Sequence, residues 1–361
     1  MPVGGAETLL LNLMRRFDRQ RIAPELICLK QLGPLGESLA SEIPTTHSML
    51  GSKYDLTVAL RLARHFRSRN IDAVVTVGAG DKMFWGRLAA KLAGVPVICS
   101  ALHSTGWPDG VGRLNRMLTG ITDKFIAVAE SHGEFLVDFE RFPSRKVTVI
   151  RNGIDTNRFI PNQTAKVNVR AELGINQHSP LVGIVAALRP EKNHELFLSI
   201  AERTSRTIRD AQFVIVGEGP ERAKIESIIA AKRLELNVRM LGNRNDTPQL
   251  LAALDAFLLT SHNEANPVSI LESLACGVPV VSTNVGSIAE TVQEGITGYT
   301  VEAGDAEQAT ERLLRLLLDR NHAEQLGRNG RDLVHKTGSL NAMVDGYQKL
   351  IEKIYLEKRS L

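Results

Sequence analysis

Along most of this chain, short runs of consecutive apolar residues alternate with longer stretches in which apolar positions recur every three or four residues. "PELICLK", "DAVVTVG", "VPVICSA", "KFIAVAE" and "KVTVIRN" are the short runs of the first part, separated by segments such as "KMFWGRLAAKLAG". Runs rich in Val and Ile predict strands buried on both faces, and the helical periodicity between them predicts helices covering a parallel sheet. A second series follows with "PLVGIVAAL", "AQFVIVG", "NVRMLG", "DAFLLTS" and "VPVVST". Between the series, "RNGIDTNRFIPNQ" is rich in turn formers and poor in periodicity, which predicts a linker near residues 152–163. The pattern implies an α/β fold class with two doubly wound domains facing each other across a cleft. The expected domains are 1–160 and 161–338. A last helix over 339–361 carries Met343, Tyr347, Leu350, Ile351, Ile354 and Tyr355 as one apolar stripe.

The start of the chain departs from that pattern. "MPVGGAETLLLNLMRRFD" reads as a tight glycine turn followed by a helix, whereas a doubly wound domain opens with a strand. That first strand is ordinarily central, and its loss leaves neighbouring backbone groups unpaired. The expectation is therefore that the N-terminal strand is missing and the chain is shortened relative to a functional parent.

A length of 361 residues agrees with two domains. Charge is uneven: residues 1–160 hold 21 Lys plus Arg against 15 Asp plus Glu, and the remainder 23 against 25. The total of +4, with only 5% aromatic residues, argues against a nucleic-acid partner, which calls for a concentrated basic stripe with interleaved aromatics. In "RLARHFRSRN", Arg61, Arg64, His65 and Arg67 share a helix with Leu60, Leu62 and Phe66. Such a helix is either a solvated face or a peripheral contact with an anionic membrane. Cys28, Cys99 and Cys276 lie in apolar segments without paired spacing, so neither a disulfide framework nor a zinc site is expected, and a reducing cytoplasm fits. No apolar run is long enough to span a bilayer and no signal-peptide layout opens the chain. A cytoplasmic protein, soluble or peripheral at the inner face of the membrane, is expected.

Familiar constellations fail on spacing. "GEGPER" and "GAGDKM" lack the third glycine of a dinucleotide fingerprint, and no GxxxxGK[ST] loop, GxSxG elbow or HExxH helix occurs. What remains lies at strand ends. In "GIVAALRPEKNHELFLSIA", Arg189 and Lys192 follow a buried strand at the entrance to a helix. They are either surface cations or, with helix N-termini beside them, an anion-attracting pair suited to a diphosphate. In "SHNEANPVSILESLACGVPVVST", Asn266 and Pro267 predict a helix start at Pro267, and Gly277 predicts its left-handed end. Glu264 then lies in the preceding loop and Glu272 in the second turn. Taken alone the two are a solvated loop acid and an ordinary helical acid; alternatively, with the amides of Val268 and Ser269 joining the cations, they accept bonds from hydroxyls on either side of a diphosphate. A nucleoside diphosphate sugar has that arrangement of groups.

At these residues the chain resembles the retaining glycosyltransferases of family 4, with the GT-B fold of two Rossmann-like domains. The resemblance is carried by "GGAE" at Gly4 to Glu7, "ALHS" around His103, "RNGID" from Arg151, "LRPEKNH", "VGEGPE" from Val216 and the E-x7-E element from Glu264 to Glu272. It implies an acceptor-side first domain, with the last helix packing back on it, and a donor-binding second domain. It implies catalytic roles for His103, Arg189, Lys192 and Glu264: the two cations hold the diphosphate, Glu264 binds the transferred sugar and His103 faces it. Glu272 would take the ribose, Gly4 and Gly5 would let backbone approach a substrate, and Leu241 with Glu218 of the "GEGP" turn would flank the base. The implied reaction moves a hexose from a UDP- or GDP-linked donor to a hydroxyl of a glycan or lipid-linked acceptor of the kind used in polysaccharide biosynthesis. No D-x-D motif occurs, so metal independence is expected, with no cofactor and the nucleotide sugar as co-substrate. Ala265 departs from the glycine common in relatives. A nucleotide-sugar epimerase and a non-catalytic two-domain binding protein are the alternatives. A glycosidase fits less well, because its carboxylates flank a scissile bond whereas these two arise from one segment.

Overall fold

A computed structural model describes residues 4–52, 55–78, 80–103 and 116–360. The chain divides into two compact units, Met1–Gly153 with Leu340–Leu361, and Ile154–Ser339. The first boundary thus falls before residue 160. Ile154 and Phe159, 2% and 5% exposed, already belong to the core of the second unit, so burial rather than turn composition sets the division.

In the first unit, β1 (Leu26–Ile27) pairs in parallel with β2 (Thr45–Thr46). A separate parallel sheet runs β3 (Ala73–Gly78), β4 (Val97–Leu102), β5 (Lys124–Ala127), β6 (Val147–Val149) in sequence order. Each of the five runs read as strands overlaps one of these elements. Thr45–Thr46 was not legible as a strand, being two polar residues long. Among the described residues no strand joins the two sheets. The helix Gly5–Arg16 starts directly after Gly4 and buries Leu9, Leu11, Leu13 and Met14. The helix Leu340–Arg359 belongs to this unit: Met343, Tyr347 and Ile354 are buried, Arg21 Nε donates to Glu352 (2.7 Å) and Lys358 Nζ to Asp123 (2.7 Å).

The second unit carries β7 (Leu181–Val185), β8 (Gln212–Val216), β9 (Val238–Gly242), β10 (Ala256–Leu259), β11 (Val280–Thr283) and β12 (Gly298–Val301). All are parallel, in the order β12-β11-β10-β7-β8-β9. Phe197, Phe213, Phe257 and Leu274 are fully buried in its core. β12 was not expected, because "GYTV" is short and opens on a glycine. The chain winds outward from β7 to β9, then returns to the other side of β7 as β10. The winding direction therefore reverses between β7 and β10, and in doubly wound sheets loops at the carboxyl ends flanking such a reversal form the ligand site. No described helix is long and apolar enough to cross a membrane.

Candidate active site

The loops after β7 and β10 carry Lys192 and Glu264, and the sheet order makes them neighbours. Beyond β7, Pro190–Lys192 form a short 3-10 turn, and Asn193 (φ 48°) caps the helix His194–Thr207 by accepting from the Leu196 amide (3.3 Å). This turn aims Lys192 across the reversal. Its Nζ donates to Glu264 Oε1 at 2.5 Å, and the Ser261 hydroxyl donates to the same oxygen at 2.7 Å. Glu264 is 8% exposed and Lys192 22% by side chain, so the pair is shielded from water and its attraction exceeds that of a surface pair. The loops are stitched together by further bonds: Thr260 Oγ1 donates to the carbonyls of Lys192 (3.2 Å) and Asn193 (3.0 Å), and the His262 amide to that of Glu191 (2.8 Å).

A third loop, after β11, backs this arrangement. Thr283 Oγ1 donates to the Ser261 carbonyl (2.6 Å), and the Ser287 hydroxyl to that of Ala265. Gly286 has φ 57°, and a Cβ there would sit 1.6 Å from the Glu264 carbonyl oxygen, so only glycine fits. Sequence reasoning missed Ser261, Thr283, Gly286 and Ser287. For the last three the available signal was the run "STNVGS", which closes a buried strand. Ala265 is buried and outside the left-handed region, so its β-carbon is accommodated without strain.

Arg189 lies in the same loop as Lys192 but is the more open cation, 54% exposed, with its guanidinium 3.9 Å from Glu191. The helix following Glu264 spans Val268–Ala275, one residue later than expected. Pro267 has ψ 117° and stands just outside it, because Asn266, preceding a proline, is pushed from the helical region and Pro267 becomes the cap. Gly277 ends the helix at φ 75°, as its position predicts. Val268 and Ser269 supply the first amides, and Asn266, Pro267, Val268 and Ser269 are all half-buried. Glu272 is half-buried too, but enclosure of its carboxyl pushes the pKa up to about 8, with the Arg158 charge opposing.

On the other flank of β7, the "GEGP" turn packs against the Arg189 loop. Gly217 has φ 139° and a Cβ would lie 2.1 Å from the Ala186 oxygen, while the Leu188 amide donates to the Glu218 carbonyl at 3.0 Å. The Gly217 amide donates to the Gly242 carbonyl (2.9 Å), which brings Glu218 beside Leu241 and Gly242. Just beyond, a cavity of about 520 Å³ has Arg158, Asn243, Arg244, Asn245, Asp246 and Gln249 among its lining residues. The Arg158 charge, which acts on Glu272, belongs to this cavity's lining. None of its residues was in view from the motifs, and Arg158 lies in the linker sequence. His194, 3% exposed, finds no hydrogen-bond partner for either ring nitrogen among the described residues, and burial with the Lys192 charge lowers its pKa to about 4.

Three expected residues lie in the first unit. His103 directly follows β4 and is half-buried. Gly4, in extended backbone, precedes the helix Gly5–Arg16, and a Cβ on it would come within 2.7 Å of Glu7 Oε2; Gly5 is exposed.

Two parallel-sheet units, the second with its strand order reversing beside β7, agree with the GT-B fold of sugar-transferring enzymes. The family model described as "Glycosyltransferase Family 4" matches residues 3–158, and that described as "Glycosyl transferases group 1" matches residues 166–333. The chain belongs to the GT-B glycosyltransferases of family 4 type. It is 27% identical over 304 residues to the N-acetyl-alpha-D-glucosaminyl L-malate synthase of Bacillus anthracis, covering 82% of this chain and 78% of that one. It is 26% identical over 337 residues to the UDP-Gal:alpha-D-GlcNAc-diphosphoundecaprenol alpha-1,3-galactosyltransferase of Escherichia coli, covering 89% and 87%. Among solved structures, Anabaena Alr3699/HepE in complex with UDP and glucose shares the fold with a TM-score of 0.85 at 20% identity, over 97% of this chain and 96% of that one.

Proposed function

We propose that this glycosyltransferase moves a hexose from a UDP- or GDP-linked donor to a hydroxyl of a glycan or lipid-linked acceptor, with retention at the anomeric carbon and without a metal. The second unit binds the donor and the first receives the acceptor. The juxtaposition of Lys192 with Glu264 at the strand reversal carries this reading, since it sets a phosphate-binding cation beside an acid suited to sugar hydroxyls. Arg189 joins Lys192 on the diphosphate, the first amides of the helix Val268–Ala275 add donors, and Glu272 takes the ribose. Glu218, Leu241 and the adjoining cavity flank the base. His103 faces the reacting sugar, with Gly4 and Gly5 close to a substrate.

In the proposed step the acceptor oxygen bonds to the anomeric carbon on the face from which the bond to the phosphate oxygen breaks. The acceptor's proton passes to the departing phosphate. Positive charge spread over the sugar ring and negative charge building on the phosphate make Arg189 and Lys192 the principal catalytic groups. The names of the Escherichia coli relative and of mannosyltransferases in Mycobacterium tuberculosis support a lipid-linked acceptor and both kinds of nucleotide. Leu56 and Leu60, exposed beside the exposed Arg64 and Arg67, support peripheral contact with anionic lipid at the inner face of the membrane.

The test is a transfer assay with UDP- and GDP-hexoses and lipid-linked acceptors, the product's anomeric configuration being read by NMR. Lys192→Ala or Arg189→Ala is expected to lower turnover by about two orders of magnitude. Unchanged turnover removes the assignment. Activity abolished by EDTA and restored by manganese removes metal independence, and failure to sediment with phosphatidylglycerol vesicles removes the membrane contact.

A further inference from the structure

Lys192 and Glu264 have been assigned to different parts of the donor, yet they are bonded to each other. We propose that Glu264 also makes the site discriminate between an intact nucleotide sugar and the spent nucleoside diphosphate; this rests on the donor reading above. The Lys192 ammonium lies 2.5 Å from Glu264 Oε1, and the carboxylate is buried, with the Ser261 hydroxyl on the same oxygen. A diphosphate that recruits Lys192 therefore competes with a shielded anion for one cation. Either the carboxylate gives up its ion pair, keeping the Ser261 hydroxyl on that oxygen, or two anions share the ammonium; both weaken binding. An intact donor brings hydroxyls that bond Glu264 as the ammonium turns to phosphate, which offsets the loss. A nucleoside diphosphate lacks the transferred sugar, and its ribose hydroxyls go to Glu272, so it brings none to Glu264. Once the sugar has left, Glu264 reclaims Lys192 and favours release of the nucleotide. Gly286 and Ser261 hold Glu264 where this exchange is possible.

The geometry gives opposite signs for two ligands in one variant. In Glu264→Gln the amide has no charge to hold Lys192, so the Kd of UDP or GDP is expected to fall by about fivefold. The Kd of the matching nucleotide sugar is expected to rise, because a hydroxyl acceptor of full charge is gone. Titration calorimetry with UDP, GDP, UDP-glucose, UDP-galactose, UDP-N-acetylglucosamine and GDP-mannose reads both. Ser261→Ala is the companion variant: Glu264 then leans harder on Lys192, and UDP or GDP binding is expected to weaken by about twofold. It also decides the matter if the glutamine variant fails to fold. Nucleotide binding that is unchanged or weaker in Glu264→Gln, or unchanged in Ser261→Ala, overturns the proposal while leaving the donor site intact. Wild-type protein that binds none of these ligands overturns the donor reading, and this proposal with it.

Discussion

The carboxyl of Glu272 illustrates how one side chain's surroundings override its type. Enclosure raises its pKa from 4.5 to about 8, so at neutral pH it keeps its proton and can both donate to and accept from a hydroxyl, as the proposed ribose contact requires. The sign of the linked stability follows. Between the two values the folded chain holds a proton that the unfolded chain releases, so stability falls as pH rises through that window and levels off above about 8. In Glu272→Gln this slope is absent. Urea unfolding of the two proteins at pH 5 and pH 9 is expected to show the native chain losing roughly 1 kcal/mol or more relative to the variant. Parallel pH profiles would remove the raised pKa. The E-x7-E spacing was legible as residues of the right chemistry, but no sequence pattern reveals that one acid is ion-paired and the other protonated. Both properties come from neighbours distant in the chain, Lys192 for Glu264 and the enclosure around Glu272.

At the scale of elements, strand-end loops do the positioning, and their conformation is set by a few backbone requirements. Gly286 is the tightest: φ 57° and a would-be Cβ 1.6 Å from the Glu264 oxygen leave no room for any side chain. Gly286→Ala is expected to cost about 2–4 kcal/mol, from left-handed strain plus displacement of the Glu264 loop. Thermal unfolding should show a lowered Tm, accompanied by weaker nucleotide binding. A Tm equal to that of the wild type would mean the loop yields cheaply. Buried strands such as "AQFVIVG" were readable because a continuous apolar run has few other uses. Helix starts were less so: Asn266–Pro267 offers two adjacent start signals, and which of them caps depends on local backbone, which placed the first helical residue at Val268.

For the whole molecule, the two units differ in how they draw on the chain. The second is one continuous stretch, Ile154–Ser339, with its own large apolar core and with Arg189, Lys192, Glu264 and Glu272 all inside it. The first needs both ends of the sequence, since Leu340–Leu361 completes it. A fragment of residues 154–339 is therefore expected to unfold cooperatively and to bind nucleoside diphosphate without the rest of the chain, whereas residues 1–153 lose the buried Met343, Tyr347 and Ile354 and should not form a stable fold. Calorimetric melting and nucleotide titration of each fragment check this. A second-unit fragment without a cooperative transition would contradict it.

What the sequence determined by itself was the alternation of strand and helix, the existence of two domains and the chemical types gathered at strand ends. These follow from short-range periodicity, which each segment carries independently. Tertiary structure alone decided that the chain returns to the opposite side of β7 as β10, which sets Lys192 against Glu264, 72 positions apart in the chain. Strand order depends on which edges pair in space, and apolar runs of nearly equal character leave that choice to the packed sheet.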